Sequence, residues 1–149
     1  MKLTLAFVAA LSIGVTAAQA DTLSNTLTII DTGSENRLTV VQSDGGGHTA
    51  EITLSGTDNG AAALVAGPLM PELVLGRFEQ KGFGHVARLD IGGRNNGFAG
   101  LQTGSGHFLS GEIMGSDNLA QVVQTGAGQT AVFRQIGTRN NLSIRQSSW

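Results

Sequence analysis

The chain has 149 residues, of which 22 are Gly, 2 are Pro and none is Cys; 13% are charged and the formal net charge is -2. That length suits one domain and excludes a TIM barrel or a two-domain dinucleotide-binding enzyme. Without Cys there is no disulfide scaffold, thiolate zinc site or thiol nucleophile, and the small negative charge argues against an electrostatic grip on nucleic acid.

Residues 1–20 read as a secretory signal peptide. Met1-Lys2 supplies a positive charge, 3–17 is apolar apart from Thr4, Ser12, Gly14 and Thr16, and Ala18-Gln19-Ala20 is a small-x-small site. Cleavage is predicted between Ala20 and Asp21, leaving 21–149 as the mature domain. The apolar run is short for a membrane span, so no stable membrane insertion is expected.

From Asn25 onward one pattern recurs every eleven residues. Its clearest mark is a column of glycines: Gly33, Gly56, Gly67, Gly82, Gly93, Gly104, Gly115, Gly126 and Gly137. Two residues before each slot lies a second column, which includes Gln80, Gln102, Gln124, Gln135 and Gln146. Three residues after it lies a third, holding Asn25, Asn36, His48, Asn59, Val74, His85, Asn96, His107, Asn118, Gln129 and Asn140. Two small or apolar columns lie between. Each unit thus reads Asn-x-apolar-x-apolar-x-Gln-x-Gly-x-x. The inward residues alternate with period two, which is strand spacing. Gly closes each strand with a corner, since it takes positive φ without a Cβ clash.

One strand and corner cannot bury anything alone. Stacked strand-turn-strand loops of 22 residues make two parallel sheets about 10 Å apart with a thin core between them. The predicted fold is therefore all-β, a β-solenoid of eleven-residue units. Eleven units were counted along the chain, with strict alternation between sheets. That alternation predicts one ladder of Asn36, Asn59, His85, His107 and Gln129. It predicts an opposite ladder of Asn25, His48, Val74, Asn96, Asn118 and Asn140. Stacked side-chain amides would satisfy one another along the axis. Gly100 and Gly111 are expected to hollow out part of the core. Two corner insertions are expected, one residue at Asp44-Gly45-Gly46-Gly47 and four residues around Pro68 and Pro71.

No cofactor is expected. His85 and His107 could share a metal if stacked, but a hydrogen-bonding role already accounts for their column. Apart from Asp31, the acids fall outside the inward columns, so no carboxylate pair for hydrolysis is expected and the chain does not read as an enzyme.

The run Gln124-x-Gly126-x-x-Gln129-x-Ala131-x-Phe133-x-Gln135-x-Gly137, with Asn140 after it, resembles the curlin repeats of bacterial curli fibre subunits. Gln102-x-Gly104-x-x-His107 and Gln80-x-Gly82-x-x-His85 are similar. The resemblance implies a secreted structural subunit that leaves the cell unfolded through an outer-membrane pore with accessory factors. It implies polymerisation with itself and a companion curlin into cross-β amyloid fibres at the cell surface, for biofilm, adhesion and aggregation. A second reading is a monomeric β-solenoid that binds ice or a surface, which would need a flat outward array of Thr.

Overall fold

The computed structural model describes residues 2–7, 24–61 and 69–149. Ala20 and Asp21 of the expected cleavage site, and Gly67, lie outside them. Eleven strands follow one another: β1 Lys2–Phe7, β2 Thr26–Asp31, β3 Thr39–Gly46, β4 Thr49–Thr57, β5 Arg77–Phe83, β6 Val86–Arg94, β7 Gly97–Ser105, β8 Phe108–Ser116, β9 Leu119–Ala127, β10 Thr130–Thr138 and β11 Asn141–Ser147. Six form one sheet in the order β1-β2-β4-β6-β8-β10, and five form the other in the order β11-β9-β7-β5-β3. Pairing is parallel in both, and Gly stacks on Gly where β6 meets β8 (Gly93↔Gly115) and β7 meets β9 (Gly104↔Gly126). The fold is a β-solenoid with 22 residues per turn, and each turn contributes one strand to each sheet.

The core is the predicted one. Leu27, Ile29, Leu38, Val40, Ala50, Ile52, Ala87, Leu89, Leu109, Ala120, Val122 and Ala131 point inward from alternate positions and are buried in one cluster. Phe78, Phe98 and Phe133 join them. Burying an aliphatic side chain of this kind contributes about 1.5–3 kcal/mol.

The expected hollow at Gly100 and Gly111 is filled. A Cβ on Gly100 would lie 2.8 Å from Phe78 Cδ2 and 2.9 Å from Phe98 Cζ. One on Gly111 would overlap the Phe133 ring and lie 3.0 Å from Leu89 Cδ2. The two glycines make room for phenyl rings from neighbouring rungs. Gly111→Ala is therefore expected to overpack the core. It should lower stability by about 1–3 kcal/mol, read as a fall in the guanidinium midpoint.

Two features differ from the predicted layout. First, β1 pairs in parallel with β2, from Lys2↔Thr26 to Phe7↔Asp31. Residues 1–20 were expected to stand apart from the fold. An edge strand offers a row of unpaired N–H and C=O groups, and a β-compatible segment of the same chain can take it.

Second, the stretch from Asn59 to Gly82 holds one unit, not two. The spacing from Asn59 to Asn96 is 37 residues where Asn96 to Asn118 is 22, an excess of 15. The chain begins a rung at Asn59 and Gly60, where Gly60 bridges Arg37 and Gly97. The rung resumes at Gly76, whose amide donates to the Phe98 carbonyl at 2.8 Å. The lack of a Cβ on Gly76 lets it close against Ala61, whose Cα would otherwise be 2.9 Å away. The excursion returns over the outer face of the β5–β7–β9 sheet. Leu73 is buried there with Ala99 and Val123, and the Met70 amide donates to Gln121 Oε1 at 2.7 Å. Glu72 forms an ion pair with Arg145 on β11. The other insertion is the single residue expected, a bulge between Ser43 and Gly46 where β3 pairs β5.

Candidate assembly site: the side-chain ladders

The turn of 22 residues superposes like positions, and the corners decide what is superposed. The two corners of each turn differ in sequence. One follows Gly-x-polar-Asn and places Glu35, Asp58, Asn95, Asp117 and Arg139 at φ of 57–58°. The other follows Gly-x-Gly and places Gly84, Gly106 and Gly128 at φ of 63–65°. These left-handed positions, one residue before the Asn column, were not singled out from the sequence. The 22-residue recurrence of Gly-x-Gly is the signal that marks them.

The Asn-type column consequently sorts into two ladders that differ from the predicted ones. The first runs Asn25, His48, His85, His107 and Gln129. Each side chain accepts the next rung's backbone amide: His48 N–H to Asn25 Oδ1 at 3.1 Å, His85 N–H to His48 Nδ1 at 3.3 Å, His107 N–H to His85 Nδ1 at 3.2 Å and Gln129 N–H to His107 Nδ1 at 3.2 Å. The second ladder is all Asn: Asn36, Asn59, Asn96, Asn118 and Asn140, linked the same way at 2.8, 3.1, 3.1 and 2.9 Å. Val74 was placed in this column but stands in the excursion, 60% exposed. The extra 15 residues return the chain to the sheet it had left, which reverses the parity assumed for every later unit.

The Gln column also divides. On one sheet Gln42, Gln80, Gln102, Gln124 and Gln146 form a continuous amide ladder. Each Nε2 donates to the next Oε1, at 2.9, 2.9, 2.8 and 2.9 Å. All four links run in the same direction along the axis. On the other sheet the column reads Asp31, Leu54, Ile91, Ile113 and Gln135. Gln135 was expected in a Gln ladder. It lies instead over Ile113 and donates to the Leu119 carbonyl at 3.0 Å.

The three imidazoles are stacked and buried. His48 and His85 have ring centroids 5.0 Å apart with planes 11° apart, and His85 and His107 are 4.9 Å and 2° apart. His85 Nε2 donates to the Lys81 carbonyl at 2.8 Å and His107 Nε2 to that of Thr103 at 3.0 Å. Both nitrogens of His85 and His107 are thus engaged, which leaves neither free for a metal. Burial pushes the His85 imidazole down to about 4; the Lys81 carbonyl opposes this, and the neighbouring His48 and His107 add to it. Burial likewise lowers His48, against the backbone of Ser43 and Gly82.

Four buried side-chain atoms have no hydrogen-bond partner among the described residues: Asp31 Oδ2, His48 Nε2, Gln129 Oε1 and Gln135 Oε1. Gln129 and Gln135 flank the start and end of the last rung of their sheet, and Asp31 closes β2. On the outer face of the β2–β10 sheet, Arg88 pairs with Glu51 at 3.0 Å and Arg134 with Glu112 at 2.8 Å. Burial, then the Glu112 charge, raises the Asp90 carboxyl beside them.

Stacked parallel rungs, two glycine-gated corners and amide ladders define a structural β-solenoid. Residues 115–147 match the family model of the curlin associated repeat. Searches of curated proteins and of solved structures gave no match.

Proposed function

We propose that this chain is the structural subunit of a secreted, curli-type fibre that grows by end-to-end stacking of solenoids. The observation that carries this reading is the position of the orphaned atoms. A buried polar group without a partner costs about 1–3 kcal/mol, and two of the four, Gln129 Oε1 and Gln135 Oε1, lie on the last rung of the β2–β10 sheet. A second copy on the C-terminal face would supply the donor that Gln129 Oε1 lacks and extend the other ladders. Its Asn25 amide would donate to Gln129 Oε1, as the Gln129 amide does to His107. Its Asn36 amide would reach Asn140 Oδ1, and its Gln42 Oε1 would accept from Gln146. Strands β10 and β11 each pair on one side only among the described residues. Such an interface is heterologous and does not close, so it yields filaments with strands across the axis. The partners proposed are the chain itself and a companion curlin, with an outer-membrane pore and its accessory factors for export. The product is an extracellular, cell-surface matrix fibre for adhesion and biofilm.

A monomeric surface-binding module has less support. The outward column of one sheet reads Thr28, Glu51, Arg88, Ser110 and Val132, which is no flat Thr array.

The test uses two forms of the chain. A chain beginning at Asp21 is expected to form thioflavin-positive fibres with a meridional reflection at about 4.8 Å. The chain retaining residues 1–20, whose β1 occupies the β2 edge, should show a longer lag. Persistence of the Asp21 form as a monomer under both unseeded and self-seeded conditions would overturn the proposal.

A further inference from the structure

We propose that the stacked His48 and His85 form an acid-sensitive latch in one wall of the solenoid. A backbone N–H can only donate, so the Nδ1 that receives it must present a lone pair. The proton of each ring is therefore on Nε2, where His85 and His107 donate it to the carbonyls of Lys81 and Thr103. The stack is built from neutral rings. An added proton has one place to bind, Nδ1, and there it faces the N–H of the next rung.

Protonation thus does two things at once. It removes the acceptors of the His85 and His107 amides. It also sets two cations 5.0 Å apart inside a buried wall, the ring spacing of His48 and His85. The charged groups on the adjoining strand ends offer no relief. Asp44, on the corner entering His48, is exposed. The Lys81 ammonium is held 2.7 Å from Glu79, and the charges acting on His85 are those of the two other imidazoles. The opposite corner performs the same task with Asn59, Asn96 and Asn118, whose amides do not titrate. Acid sensitivity therefore belongs to the histidine corner alone.

The direction follows from proton counting. Between the ordinary value of 6.5 and about 4, the folded chain holds His85 neutral while the unfolded chain protonates it. The contribution is complete above the upper value and is lost as pH falls toward the lower one. For His85 alone, the folding constant drops by up to about tenfold per pH unit across that window. The latch concerns folding of the single chain and does not depend on fibre growth.

The experiment compares the full chain with a His48→Asn, His85→Asn, His107→Asn variant, in which the opposite ladder's residue replaces each imidazole. Guanidinium unfolding is followed by circular dichroism between about pH 7.5 and 4.5. The unaltered chain is expected to lose about 100-fold or more in folding constant over the lower two pH units. The variant should lose less than about tenfold. Parallel curves would overturn the latch. If the variant does not fold, imidazole nitrogen NMR of the unaltered chain decides. His48 and His85 rings in the Nε2–H form that resist protonation below about pH 5 support it, and Nδ1–H forms or titration of these two near the free-histidine value of about 6.5 reject it.

Discussion

Gly104→Ala is expected to be among the most damaging single-methyl changes in the chain, costing about 3–5 kcal/mol. Two effects add at this position. Gly104 has φ of 120°, outside the range that L side chains adopt readily. A Cβ there would also overlap the carbonyl oxygen of Gly126 on the next rung and lie 2.9 Å from its carbonyl carbon. The clash is with backbone, so no rotamer change relieves it. Relief requires the rungs to part, which breaks the β7–β9 pairing on that side. Gly106→Ala makes the contrast. Its φ of 63° is strained for Ala, but a Cβ there meets nothing within 4 Å. It should cost only about 1–2 kcal/mol. Guanidinium midpoints of the two variants check the ranking, and equal losses would show that the close approach of rungs is not the governing constraint.

The same geometry explains what the sequence made legible. The eleven-residue period is visible because every inward position serves the same role on every rung, so selection for stacking writes the same residue type into each column. Strands, corners, core and the Gln102–Gln124–Gln146 ladder all follow from that. Parity was not legible by spacing. Ala61, Ala63, Val65 and Gly67 fall at the right intervals to imitate a unit, and local spacing does not record whether the chain comes back to the sheet it left. The corners do record it. His48 and His85 both follow Gly-x-Gly, whereas Asn59 and Asn96 both follow Gly-x-polar. Sorting the units by corner type places the histidines in one ladder and the asparagines in the other. The filling of the space at Gly100 and Gly111 is hidden from the sequence for a related reason. A column read along one strand does not reveal that Phe78 and Phe133 on neighbouring rungs fill the space.

The second large effect concerns the amide ladder. Gln102→Ala with Gln124→Ala removes three of its four links, those joining Gln80, Gln102, Gln124 and Gln146. It leaves Gln80 Nε2 with only the Thr49 carbonyl at 3.3 Å and strips Gln146 Oε1 of its donor. Each group orphaned in this way costs about 1–3 kcal/mol, before the cavities are counted. Arg88→Ala with Arg134→Ala removes two ion pairs whose arginines are 61% and 65% exposed. Screened pairs of that kind contribute about 0–1 kcal/mol each. The Gln pair should therefore lower the guanidinium midpoint and lengthen the fibre lag far more than the Arg pair, and equal shifts would remove the ladder from the argument. The opposite sheet shows that the column does not need amides for burial alone, since Leu54, Ile91 and Ile113 fill it there and are fully buried. What an apolar column lacks is direction. Leucine over isoleucine tolerates small slips, whereas an amide must meet the next amide with donor facing acceptor. One sheet of this solenoid packs, and the other fixes register and polarity.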